Sequence, residues 1–368
     1  MRTARWAAAG FLAAAMSTSV LIPARAQEAA APSAAASPGA PSPGAPSPGV
    51  VAPLKEDFVE ANGIRFHYVH NGEGPMVLML HGYPSLWYQW KDQLLDLGKD
   101  HFAVAPDLRG YNLTTIPSGT DQYQMKYLVE DIRALSEKLG GKGKKFVLVG
   151  HDWGGLLAWV FTMYHPEMVE KLVIINAPHP VLFEREMREN PIQRWGSSYT
   201  FSFNNYDGFK WDEMLSKNDF AGLTQGILGE QIKSGKYTDA DVQVWKKAWA
   251  VPGALNAGLD YYRANHLNPP FNETHPKEKI PTSWSAAAVT AGAKGKIIKV
   301  PTLVIWGVAD SALQNGNLSG LEKLVPDIRF RLYPKDSHWV SISKGPQVSQ
   351  DIRDFVEGKP MPHESVAK

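Results

Sequence analysis

The sequence predicts an α/β fold: a mostly parallel sheet with helices on both faces, and a helical insertion late in the chain. Three observations carry that prediction. Short apolar runs alternate with stretches of helical spacing, as strands buried on both faces do. Several runs end on a small or polar residue, and sheets of this class carry their chemistry in loops at the strand ends. Between Pro180 and about Lys299 the alternation stops, and about 100 residues rich in Trp, Tyr, Phe, Asn and Gly read as helix with turns.

Taken in order, Ile64–His70 alternates as a strand, and Met76–Leu80 is an apolar run that ends at His81-Gly82. Phe102–Ala105 is another, ending at Pro106-Asp107. Tyr123–Leu139 has helical spacing through Tyr127, Leu128, Ile132, Leu135 and Leu139, and stops at Gly140-Gly141. Phe146–Val149 is a strand ending at Gly150, followed by an apolar helix, Leu156–Tyr164. Leu172–Ile175, Thr302–Trp306 and Ile328–Leu332 repeat the strand pattern, and Val348–Val356 closes the fold as a helix. The insertion contains Trp195, Trp211, Trp245, Trp249 and Trp284, and reads as a lid over the strand ends.

The N-terminus is of another kind. Arg2 and Arg5 precede the apolar run Trp6–Met16, which is too short to span a bilayer. Ala24-Arg25-Ala26 follows, so residues 1–26 read as a secretory signal cut after Ala26. Residues 27–53 are almost wholly Ala, Pro, Ser and Gly, with Ala40-Pro-Ser-Pro-Gly44 repeated from Ala45; with no apolar surface to bury, they form an extended tether. Residues 54–180 and 297–358 are assigned to the core, 181–296 to the insertion and 359–368 to a tail. The mature protein is expected outside the cytoplasm. The 368 residues include no cysteine, which excludes disulfides, thiol nucleophiles and zinc ribbons. Lys and Arg number 38 against 37 Asp and Glu, so nothing favours nucleic acid. No later stretch is long and apolar enough for a membrane span.

The strongest chemical signal is Gly150-His151-Asp152-Trp153-Gly154-Gly155. A strand leads in and a helix leads out, which is the spacing of a nucleophile elbow, where small residues let strand and helix approach at a sharp turn. Its centre is Asp152, so a serine esterase is excluded at this position. Such a nucleophile needs a base and a group to orient it. His338, in Ser337-His338-Trp339 after a strand, is the base candidate, and Asp310, four residues after Trp306, is its carboxylate partner. The order Asp152, Asp310, His338 is the nucleophile, acid, histidine order of α/β-hydrolases. His81-Gly82-Tyr83-Pro84 follows the third strand, where the backbone N–H of Tyr83 supplies one oxyanion donor and that of Trp153 the other. Tyr83, Pro84 and Trp153 also line the expected substrate pocket. Asp107 reads as a salt-bridge or turn residue, and His81, His151 and His179 as structural neighbours.

These segments, with Asp107-Leu-Arg-Gly110, Asn176-Ala-Pro178 and Trp306-Gly-Val-Ala-Asp310, resemble those of epoxide hydrolases in the α/β-hydrolase superfamily, over about Phe58–Val356. The resemblance implies an α/β-hydrolase fold with a mostly parallel eight-stranded sheet and a helical cap domain inserted between the sixth and seventh strands. It also implies that Asp152 attacks an epoxide carbon and that water activated by His338 hydrolyses the resulting ester, without cofactor or metal. In that family two cap tyrosines protonate the leaving alkoxide. Tyr262, in Leu259-Asp-Tyr-Tyr-Arg263, matches the second; Tyr199, in Tyr199-Thr-Phe-Ser-Phe203, fits the first more loosely, with Tyr206 as the alternative. An ordinary phenol ionises near pH 10, so ring opening is expected to weaken in alkali. The expected partners are a small apolar epoxide and water. A haloalkane dehalogenase shares the same Asp–His machinery but needs two N–H donors on the halide. Tyr83 argues against it unless a cap residue such as Trp195 compensates. A non-catalytic binding protein on the same scaffold is the third reading.

Overall fold

The structure is a computed structural model that describes residues 53–204, 209–267 and 297–361. The expected signal (1–26), the expected tether up to residue 52, Tyr206, Trp284 and residues 362–368 lie outside the described residues. Eight strands form one sheet: β1 (Lys55–Ala61), β2 (Ile64–Asn71), β3 (Met76–Leu80), β4 (Phe102–Pro106), β5 (Phe146–His151), β6 (Val169–Ile175), β7 (Thr302–Gly307) and β8 (Ile328–Tyr333). Their order is β1-β2-β4-β3-β5-β6-β7-β8. Strands β3 to β8 run parallel, while β1 and β2 form an antiparallel hairpin joined to β4. The hairpin turns at Asn62-Gly63, both with positive φ, as a tight two-residue β-turn requires.

Sequence periodicity missed β1. It is an edge strand, largely exposed and rich in charge, and such edges are kept polar to prevent further strand pairing. The central strands β3, β5, β6 and β7 are fully buried along most of their length, which explains their unbroken apolar sequences. Helices α1 (Lys91–Leu97), α2 (Met125–Gly140) and α3 (Trp153–Tyr164) pack against the sheet. Helix α3 is apolar all round, and all of it up to Met163 is buried. That burial anchors its first turn, where Asp152 sits.

Between β6 and β7 the described residues are helical and form a cap region. Its parts include α4 (Pro180–Glu189), α5 (Pro191–Gly196), α6 (Tyr199–Phe203), α7 (Asp239–Trp249) and α8 (Ala254–Ala264). Trp211, Trp245 and Trp249 are buried inside it. Helix α9 (Gly345–Val356) ends the fold and packs on α1. The cap is tied to the core by polar contacts. Asp241 accepts from Lys91 Nζ at 2.8 Å and from the Tyr88 hydroxyl, Trp249 Nε1 donates to the Pro84 carbonyl at 2.6 Å, and the Tyr261 hydroxyl donates to the Arg109 carbonyl at 2.8 Å.

Candidate active site

Asp152 stands between β5 and α3 with φ 52° and ψ −121°, a sparsely populated conformation for a non-glycine residue. The neighbouring glycines make it possible. A Cβ on Gly154 would lie 2.3 Å from the Leu80 carbonyl oxygen, and one on Gly150 would lie 2.4 Å from that of Gly154. Any side chain there would push the strand and helix apart, so the elbow spacing is a steric requirement. Gly82 is constrained in the same way, because its Cβ would fall 2.2 Å from Asp152 Oδ1. With no side chain at Gly82, the next backbone N–H, that of Tyr83, donates to Oδ1 at 2.8 Å.

His338 comes from the loop after β8. Its Nδ1 donates to Asp310 Oδ2 at 2.8 Å, and its Nε2 lies 3.6 Å from Asp152 Oδ2. The imidazole therefore bridges the two carboxylates, fixed by one and facing the other. Asp310, 4% exposed, is itself held from three sides. Its Oδ1 accepts from the N–H groups of Ala312 at 2.9 Å and Leu313 at 3.0 Å, and its Oδ2 accepts from Asn176 Nδ2 at 2.8 Å. Asn176, at the end of β6, also accepts from the Gly307 N–H at 2.8 Å, so it joins the two strand ends that carry the site.

The three histidines expected to be structural are buried and neutral. His81 Nδ1–H donates to the Gly82 carbonyl at 2.9 Å, and its Nε2 accepts from the Leu108 N–H at 3.1 Å, which braces the loop after β3. Burial lowers His151 to about 3, and its Nε2–H donates to the His338 carbonyl at 2.9 Å. His179 is likewise lowered by burial to about 3 and caps α4. Asp107 is both a turn residue and an ion-pair partner. It accepts from His67 Nδ1 at 2.6 Å, from the Trp87 N–H at 2.9 Å and from Asn112 Nδ2 at 2.7 Å.

From the cap, Tyr199 on α6 and Tyr262 on α8 complete the cavity, which has two lobes. One is lined by Tyr83, Pro84, Asp152, Tyr199, Phe203, Leu215, Leu223, Tyr262, Ala312, His338 and Trp339. The other is lined by Asp152, Trp153, Leu156, Pro178, Phe183, Ser197, Tyr199, Thr200, Tyr262, Leu267 and Leu313. Asp152, Tyr199 and Tyr262 border both. Of the residues named from the sequence, Tyr83, Pro84, Asp152, Trp153, Tyr199, Tyr262 and His338 border this space, with Asp310 behind His338. Leu215, Leu223 and Leu267 had no sequence signal, because nothing local separates a cavity-lining leucine from a packing one. Trp195, a possible halide donor in the dehalogenase reading, is 62% exposed and lines neither lobe.

The charges are uneven. Burial disfavours ionised Asp152, but the facing His338 and the backbone N–H of Trp153 outweigh it, so the carboxylate stays below its ordinary range. Burial alone would lower His338, yet the two flanking carboxylates push it up to about 10. The phenols behave in the opposite sense. Burial, reinforced by Asp152, raises Tyr199 and Tyr262 well above 10. Both hydroxyls therefore stay protonated beyond the ordinary phenol range.

Comparison with known proteins agrees with this geometry. The family model of the alpha/beta hydrolase fold matches residues 75–345. Epoxide hydrolase 4 of Mus musculus is 32% identical over 310 residues, which is 82% of this chain and 76% of that protein. The AB hydrolase superfamily protein YfhM of Bacillus subtilis is 33% identical over 83% of this chain and 99% of its own. The crystal structure of Bacillus megaterium epoxide hydrolase in complex with an inhibitor superposes with a TM-score of 0.70 at 32% identity, covering 82% of this chain and all of that one. The chain belongs to the epoxide hydrolase family of the α/β-hydrolase fold, and it is a hydrolase.

Proposed function

We propose that the protein opens an apolar epoxide to a vicinal diol through a covalent ester on Asp152. What carries the reading is one juxtaposition: an ionised carboxylate and two neutral phenols border the same cavity from opposite sides. A carboxylate suits displacement at saturated carbon, because the ester it forms can be hydrolysed again. In the first step Asp152 Oδ2 bonds to an epoxide carbon and the C–O bond breaks. The alkoxide receives a proton delivered through Tyr199 and Tyr262. Esterification also removes the Asp152 charge that helps hold the His338 proton. The imidazolium then falls back toward its ordinary range and releases one proton, balancing the one taken by the alkoxide.

In the second step neutral His338, oriented by Asp310, takes a proton from water as the oxygen attacks the ester carbonyl. The N–H groups of Tyr83 and Trp153 hold the developing oxyanion. Collapse frees the diol and restores the Asp152 carboxylate and the His338 imidazolium, so the sum is epoxide plus water. The aromatic and aliphatic lining of both lobes favours an apolar substrate. The N-terminal signal pattern extends the proposal to export, with a mature chain beginning at Gln27; the intact mass of the exported protein tests this.

The deciding experiment is a turnover assay of epoxides beside haloalkanes, with diol and halide both quantified, for the wild type and Asp152→Asn. Diol formation by the wild type and none by the nearly isosteric Asp152→Asn is the expected result. Halide release without diol would turn the reading to a dehalogenase. Full activity of Asp152→Asn, with no deamidation by mass spectrometry, would remove Asp152 as nucleophile.

A further inference from the structure

Asp310 and Tyr199 lie far apart in sequence, yet one buried side chain bonds to both of their segments. Gln193, on α5, has no exposed surface. Its Nε2 donates to the Ala312 carbonyl at 2.8 Å and to Ser197 Oγ at 2.7 Å. Its Oε1 accepts from the Gln314 N–H at 2.8 Å and from Asn317 Nδ2 at 2.7 Å. Every hydrogen-bonding position of the amide is filled. Three of the partners belong to the loop that begins at Asp310, and the N–H of Ala312 is one of the two that hold the Asp310 carboxylate. The fourth, Ser197, stands two residues before Tyr199; its hydroxyl also reaches the Ala312 carbonyl at 3.2 Å, and its own carbonyl accepts from Thr200 Oγ1 at 2.7 Å. The two segments touch closely, since a Cβ on Gly196 would sit 2.4 Å from the Ser311 carbonyl oxygen.

We propose that Gln193 is a positioning residue that locks the loop carrying Asp310 to the cap segment carrying Tyr199. The base side and the acid side of the cavity then keep one mutual geometry. Gln193 lines neither lobe, so it acts only through other residues. A buried amide with four bonds cannot shift without leaving polar groups unpaired, which makes the link stiff. The inference rests on the roles given above to Asp310, His338 and Tyr199.

Gln193→Met keeps the approximate volume and removes all four bonds. Its adduct formation and ester hydrolysis would be measured separately in single turnovers, per folded active site, beside wild type and Asp152→Asn. Both steps should slow, each about tenfold, as displacements of catalytic groups well below 1 Å do. Gln193→Glu supplies the readout that a merely structural role would not move. Ionised, it repels the Ala312 carbonyl; protonated, it can donate to it while its other oxygen still accepts. Its hydrolysis rate, divided by the wild-type rate at the same pH, should therefore rise as pH falls. Wild-type rates in Gln193→Met with only a lower melting temperature would overturn the proposal. So would slowing of one step alone, or a pH-independent ratio for Gln193→Glu. Should Gln193→Met fail to fold, the Gln193→Glu profile decides. Diol formation by Asp152→Asn would instead sink the underlying reading, whatever the Gln193 variants do.

Discussion

In the proposed mechanism His338 faces two carboxylates in the resting site and one after Asp152 is esterified, and that single change separates the two chemical steps. With Gln in place of His338, alkylation retains its nucleophile while hydrolysis lacks its base. Mass spectrometry of His338→Gln mixed with substrate should therefore show an adduct on Asp152 that persists; loss of activity with no adduct would mean that His338 is needed in the first step. The phenols make a complementary prediction. Tyr199→Phe and Tyr262→Phe should each slow adduct formation, and the double variant should nearly stop it, because two donors share one developing alkoxide. In His338→Gln, which has no imidazole to titrate near 10, alkylation should hold its rate through pH 10, since burial keeps both hydroxyls protonated well beyond the ordinary phenol range. A decline centred near pH 10 would show that the donors are solvated.

Two buried ion pairs hold the elements that frame the site. Arg109, in the loop after β4, reaches Asp131 on α2 through Nε at 2.7 Å and Nη2 at 2.6 Å, and Asn62 Nδ2 adds a third bond at 2.7 Å. Each ion is 4% exposed, so removing one leaves a charge buried without its partner. Arg109→Met should lower stability by about 3–5 kcal/mol, whereas Arg109→Met with Asp131→Leu should recover most of it. Urea titrations of both variants check this. The second pair, His67 with Asp107, joins β2 to the end of β4. Burial lowers the His67 pKa, but Asp107 and then Glu56 outweigh it, so the net shift is upward from 6.5. A group raised on folding contributes fully below its unfolded pKa and loses that contribution as pH climbs through the folded one. Stability should accordingly fall on the alkaline side of pH 6.5, and His67→Gln should flatten that slope in denaturant midpoints measured against pH.

For the molecule as a whole, the cap is held to the core by several contacts of unequal weight. Lys236 meets Asp92 at 2.8 Å with both side chains 29% exposed, the kind of partly solvated pair worth about 0–1 kcal/mol. Trp249 is different. Its indole donates to the Pro84 carbonyl one residue from the N–H that binds Asp152, and it is buried against Trp245. Lys236→Met should change the melting temperature and turnover little. Trp249→Phe should lower turnover more than Lys236→Met does, because it frees the oxyanion loop as well as the cap. Equal effects of the two on turnover would place the cap's hold on the site elsewhere.

Strand period, chain order and the spacing of small residues were legible in the sequence, because each is a local consequence of burial or of steric limits on the backbone. They located the parallel strands, the elbow at Asp152, and Asp310 and His338 as its partners. The edge strand β1 was not legible, since exposure along most of its length leaves no apolar rhythm to read. Nor was Asn176 as the tie between β6, Gly307 and Asp310, or Gln193 as the bridge from cap to loop. A buried amide looks in sequence like any other Asn or Gln, and its meaning comes from partners more than 100 residues away. The raised pKa values of Tyr199 and Tyr262 and the proton on His338 belong to the same class. Sequence names the ionisable groups, but only the packed structure sets the solvent they lose and the charges they face, and those two terms decide their protonation.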